Sequence, residues 1–151
     1  MRSAAGILLW MLLPVIVLAQ ATSQPAPGLK AKADAAQGSE KIVLSLEYAH
    51  QQLEHANALY TEGDIEQGEA AIHEVVAYSK LAADVATSSG KRLKQTEIEL
   101  RKIEHRMRDI GQSLNIDDRP PVETSVEQLE QLRASLLAKM FGEKAEPKDK
   151  S

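Results

Sequence analysis

The sequence predicts an all-α protein: an antiparallel helical hairpin with one long central helix and a shorter C-terminal helix packed on its far half. Three stripes carry this prediction. Steps of four and three residues connect Gly68, Ile72, Val75, Ser79, Ala82, Ala86, Ser89, Leu93, Thr96, Leu100, Ile103, Met107, Ile110 and Leu114, every one apolar or small apart from a lone Thr. Such a heptad repeat belongs to a helix lying along other helices. A second stripe of the same spacing, Ile42, Leu46, Ala49, Leu53, Ala56 and Tyr60, runs into Glu62-Gly63-Asp64. The third, Val126, Leu129, Leu132, Leu136, Leu137 and Met140, follows Pro120-Pro121.

Taken in order, the chain opens with Arg2, an apolar run over 7–18 interrupted by Pro14, and Ala19-Gln20-Ala21. A short positive region, an apolar region and a small-x-small site predict a signal peptide over 1–21, cleaved after Ala21. The run falls short of the roughly 20 apolar residues that a membrane span needs. Residues 22–38, rich in Ala, Gln, Gly, Ser and Pro, read as a disordered linker. The first helix is expected over 39–61, with Ser39 as its N-cap and Glu40 in its first turn. Gly63 ends it, and Asp64 caps the next helix. So short a connection makes the two helices antiparallel neighbours.

The central helix is expected to run unbroken over 64–114, about 76 Å at 1.5 Å per residue. Thr87-Ser88-Ser89-Gly90 costs a helix roughly 2–3 kcal/mol relative to alanine. The alternative is therefore a four-helix bundle broken near 88–90, but the stripe stays in phase across the gap. Ala71, Val76, Tyr78, Ala83 and Val85 widen the apolar face of the first half, whereas Arg92, Glu97, Glu99, Glu104 and Arg106 flank a narrow face in the second. Pro120-Pro121 and Asp117-Asp118 place a loop over 115–124. Ser125 and Gln128 form a capping box for a helix over 125–141, which Gly142 ends. Residues 143–151 read as a disordered charged tail. The helical domain spans 39–142.

Composition bounds the chemistry. There is no cysteine, so neither a disulfide nor a cysteine-linked lipid is available. Loss of Arg2 leaves 17 Lys+Arg against 22 Asp+Glu, a formal charge of −5. Without the signal peptide the aromatics are Tyr48, Tyr60, Tyr78 and Phe141, too few for an aromatic-lined ligand pocket. Charge is uneven: 39–84 holds nine acidic and two basic residues, while 91–108 holds seven basic (Lys91, Arg92, Lys94, Arg101, Lys102, Arg106, Arg108) and three acidic. That stretch reads as a solvated face partly answered by Glu127 and Glu130, or as a docking surface for an acidic partner or anionic head groups. Nucleic acid is excluded as a partner by the net acidic charge, the export signal and the lack of aromatics among the basic residues.

No motif reaches catalytic quality. Glu47-Tyr48-Ala49-His50 has the Glu-x-x-His spacing of di-iron bundles, but it occurs once and flanks the outer side of its stripe. His73-Glu74-Val75-Val76-Ala77 puts Ala77 where zinc peptidases carry their second His. His55, His73 and His105 read as surface residues, and a metal bridging His50 and His73 stays as a minor alternative. A nucleophile elbow and a glycine-rich phosphate loop are both missing. No catalytic, cofactor-binding or metal site is therefore assigned, and no cofactor is expected. Residues 58–65, Ala-Leu-Tyr-Thr-Glu-Gly-Asp-Ile, resemble the turn of a tetratricopeptide repeat, over one turn and with no second copy. The layout of signal peptide, hairpin and long helix resembles the periplasmic stress-sensing chaperones, without their Leu-Thr-x-x-Gln motif.

These readings converge on an exported, non-enzymatic helical interaction protein: a scaffold, adaptor or chaperone-like holdase with a protein partner. A homodimer through the wide hairpin face would use Leu44, Leu59, Val76, Val85 and Ile98. The alternatives are a periplasmic metal-responsive protein using Glu47, His50 and His73, and a peripheral membrane protein using 91–108.

Overall fold

The computed structural model describes residues 27–142. The predicted signal peptide over 1–21 and the charged tail over 143–151 lie outside the described residues. Among those described, all regular structure is helical: α1 (Pro27–Ala35), α2 (Gly38–Glu62), α3 (Ile65–Ser89), α4 (Leu93–Ser113) and α5 (Pro120–Gly142), with a 3-10 turn at Ile116–Asp118.

Helices α2 and α3 share the largest interface. Gly63 takes φ 84°, a left-handed conformation that costs glycine nothing. This lets the N–H groups of Gly63 and Asp64 return to the carbonyls of Tyr60 and Leu59 at 3.1 and 2.9 Å, closing the end of α2 in a Schellman arrangement. The Asp64 carboxylate then accepts the Gln67 N–H at 3.2 Å and caps α3. The two helices run in opposite senses. Near the middle of α2 the Tyr48 ring meets that of Tyr78, 4.5 Å between centroids. Near its end the Tyr60 ring lies on Gly68, where a Cβ would come within 2.8 Å of it. Gly68 belongs to the stripe because only hydrogen fits beneath that ring.

The long central helix does not form. Gly90 takes φ 66° and Arg92 φ 56°, and α4 starts afresh at Leu93. The hydroxyls of Ser88 and Ser89 donate to the Val85 carbonyl at 3.2 and 2.6 Å, folding both side chains back onto the last turn of α3. The in-phase stripe misled because it crossed the gap on two residues outside the core. Ser89 is exposed and Leu93 only half-buried, whereas Ala86 and Thr96 on either side are fully buried. Each helix keeps its own inward face, and phase across the turn carries no information.

Three further expectations fail. The stretch read as a disordered linker over 22–38 contains α1, which buries Leu29 and Ala33, one turn apart. A nine-residue helix is marginal alone, and this one is held by distant partners: Lys30 pairs with Glu74 at 2.7 Å and Tyr78 donates to Asp34 at 2.6 Å. The N-cap of α2 is Gln37, not Ser39, and its side chain makes no cap. Helix α5 starts at Pro120, five residues before the predicted capping box. A proline pair fits a first helical turn, where the missing N–H groups have no helical partner. Ser125 lies inside that helix and donates to the Pro121 carbonyl.

Helix α4 runs in the same sense as α2, since His50 meets Glu99 and Glu54 meets Arg106. Helix α5 runs back along α4, with Val122 against Gly111 and Arg133 between Glu97 and Glu104, and also covers α3. Ile42, Leu53, Ile72, Val75, Leu100, Ile103, Met107, Ile110, Leu129 and Leu136 make one common core. The wide face of α3 is thereby used within the chain: Ala71, Val76, Tyr78 and Ala83 are buried, as is Leu59.

All three tyrosines are buried. Burial, reinforced by the charges of Glu69 and Asp118, pushes Tyr60 up to about 12. Burial, then the hydrogen bond to the Asp34 carboxylate, raises Tyr78 further, and burial also raises Tyr48. A folded value above the unfolded value of 10.0 means the contribution is whole below that pH and is lost as pH rises through the folded values. In an alkaline titration, tyrosinate absorbance should therefore stay low past the ordinary phenol range and emerge together with loss of helical circular dichroism. A midpoint near 10.0 with the helices intact would contradict this packing.

Candidate interaction surface

Four of the seven cations over 91–108 are spent inside the fold. Arg106 forks onto Glu54 of α2 at 3.0 and 3.1 Å. Lys102 pairs with Glu99 at 2.9 Å and Arg101 approaches Glu97 at 3.8 Å. Arg108 pairs with Glu104 at 2.8 Å and with Glu130 of α5. Glu127, the other acid expected to answer this stretch, forms no ion pair among the described residues. Glu97 and Glu104 do not edge a solvated face; they are buried, and Arg133 of α5 reaches both, at 2.8 and 2.6 Å. Burial alone would lower the Arg133 guanidinium, but hydrogen bonds to Glu104 and Glu97 outweigh it and hold the value above the ordinary one. Sequence reasoning missed this cluster because its third member lies on another helix. The heptad spacing of Glu97 and Glu104 was the available signal, since it puts both carboxylates on one line of α4.

The cations left over are Lys91, Arg92 and Lys94, all exposed and without a carboxylate partner among the described residues. They sit in the turn and first turn of α4. Arg92 occupies a left-handed conformation, φ 56°, which costs a side-chain-bearing residue about 1–2 kcal/mol. Beside it, α2 and α4 part to leave an open cleft of about 330 Å³. Its floor is apolar, from Ile42, Val43 and Leu46. One rim carries Arg92, Gln95 and Glu99 of α4, the other Glu47 and His50 of α2. Val43 is 41% exposed, unusual for a large aliphatic residue on a packed helix.

The residues weighed for metal chemistry are placed differently. His50 does not stand on an outer face: its Nε2 meets a Glu99 carboxylate oxygen at 3.1 Å across the α2–α4 seam. The contacts to Lys102 and then to His50 lower the Glu99 carboxyl, against its burial. Glu47 and His73 are exposed, on α2 and α3. The described residues contain no group of three or more His, Asp or Glu placed to hold a metal ion, and no described helix is long and apolar enough to cross a membrane.

The buried charge cluster fixes how α5 closes the bundle, and its removal is measurable. Arg133→Ala leaves Glu97 with Arg101 alone and Glu104 with Arg108 alone, and should cost about 1–2 kcal/mol in urea denaturation, discounted for the partial exposure of Arg133. Adding Glu97→Gln and Glu104→Gln should recover part of the loss. An unchanged denaturation midpoint for Arg133→Ala would show that the cluster does not hold α5.

No family model, curated protein or solved structure matches this chain, so its function rests on the geometry alone.

Proposed function

We propose that this is an exported, non-enzymatic helical protein that acts by binding another protein through its helix surfaces, as a scaffold, adaptor or chaperone. The observation that carries this reading is the division of polar groups. Most charged side chains of α4 are consumed in ion pairs along α4 itself or across to α2 and α5, while a cleft with an apolar floor and charged rims remains open at the α2–α4 end. Helix-in-groove recognition uses such a surface: apolar anchoring with charges at the rim to set orientation. The export part rests on Arg2, the apolar run over 7–18 and Ala19-Gln20-Ala21. A second copy of the chain is one candidate partner. Leu59 and Val76, two of the residues proposed for a dimer face, are already buried, so such a contact would centre on the cleft instead.

Photo-crosslinking in the native host tests the reading. A crosslinker at Val43 or Gln95 should give a discrete adduct identifiable by mass spectrometry, and one at Glu66 or Asp109 should give none. An adduct at twice the chain mass would identify a second copy as the partner. Absence of adducts at every position would overturn the interaction reading.

A further inference from the structure

We infer that the α2–α4 cleft receives an amphipathic partner helix, apolar along its seam and acidic on the edge facing α4. This names the partner chemistry for the interaction reading above and rests on it. The helix register brings the relevant groups to one end. Arg133 lies between Glu97 and Glu104; eight residues further along α5, about 12 Å at helical rise, Phe141 reaches the level of Arg92. Val43 and Arg92 line the same cleft. Val43 and Phe141, 41% and 63% exposed, thus share an end with Lys91, Arg92 and Lys94. The other large exposed hydrophobic residue among those described, Ile116, lies in the turn at the opposite end.

Charge selects the occupant. The α4 rim presents Arg92, with Lys91 and Lys94 exposed beside it in the same turn and Glu99 already engaged by His50 and Lys102, while the α2 rim presents Glu47. Walls of opposite sign orient a helix whose two edges carry opposite charge, and reject the reversed arrangement. Shape separates a helix from a lipid surface. The floor residues Ile42 and Leu46 are only 1% and 6% exposed, below the rim. A side chain projecting from a helix reaches them, whereas a flat bilayer surface does not.

The test uses the full mature chain and a fluorescent synthetic helix with Leu on its seam and Glu on one edge, read by anisotropy. A control probe carries Lys in place of every Glu. The acidic-edge probe should bind at least about tenfold more tightly than the control. Lys91→Glu, Arg92→Glu and Lys94→Glu together should reverse that preference with helical content unchanged, and Val43→Asp should weaken both probes. Equal binding of the two probes, or binding indifferent to the triple reversal, would overturn the inference. So would sedimentation of the chain with phosphatidylglycerol vesicles, lost in the triple variant, without peptide binding. If crosslinked partners are captured equally well by the triple variant, the partner chemistry fails while the interaction reading survives.

Discussion

The reversal of the chain at residues 90–92 is the constraint on which everything else depends. Two serine hydroxyls bond back to the Val85 carbonyl in the last turn of α3, and Gly90 and Arg92 enter left-handed conformations that no helix continues through. Helix α4 is thereby sent back along α2. Only after that reversal can His50 meet Glu99 and Glu54 meet Arg106, and only then does α5 find a surface made of both α3 and α4. A continuous helix would leave the apolar line from Leu100 to Ile110 covered by the C-terminal helix alone. The reversal buries it, at the local cost of one side-chain-bearing residue in an unfavourable backbone region.

Electrostatics divides the same helix into two regions with different roles. From Glu97 to Arg108 the charges work inward and sideways, coupling α4 to α2 through Glu54 and to α5 through Arg133 and Glu130. Such buried pairs contribute little net stability against an apolar alternative, yet they penalise any packing that leaves one member alone. They favour a single seating of α5. Before Glu97, Lys91, Arg92 and Lys94 are exposed and without a carboxylate partner among the described residues. A sequence count of seven cations over 91–108 merged these groups, and only the fold separates the three at one end, exposed and without a carboxylate partner among the described residues, from the four that are paired.

Helical class, the stripes and the Gly63-Asp64 turn were legible because each depends on residues close in sequence. Periodicity reports which face of a helix is apolar, and Gly63 followed by Asp64 joins a helix end to a cap. What escaped depends on distant partners. Helix α1 has too few apolar residues to announce itself and forms because Glu74 and Tyr78 of α3 wait for Lys30 and Asp34. Arg133 looked like an ordinary surface residue of an amphipathic helix until Glu97 and Glu104 were placed opposite. His50 looked exposed because its own stripe says nothing about which helix comes to lie beside it. At the broken helix local chemistry wins: Ser88, Ser89 and Gly90 are poor helix formers, and an in-phase stripe carried by exposed Ser89 and half-buried Leu93 does not offset them.

The direct test is a distance between spin labels on Glu66, at the start of α3, and Asp109, near the end of α4, both exposed. With the chain reversed at 90–92, these positions lie at similar levels on helices of one bundle, and pulsed electron resonance should report about 20 Å, from interaxial spacings of roughly 8–10 Å plus label length. One unbroken helix would separate them by about 65 Å at 1.5 Å per residue, and a distribution centred there would contradict the account.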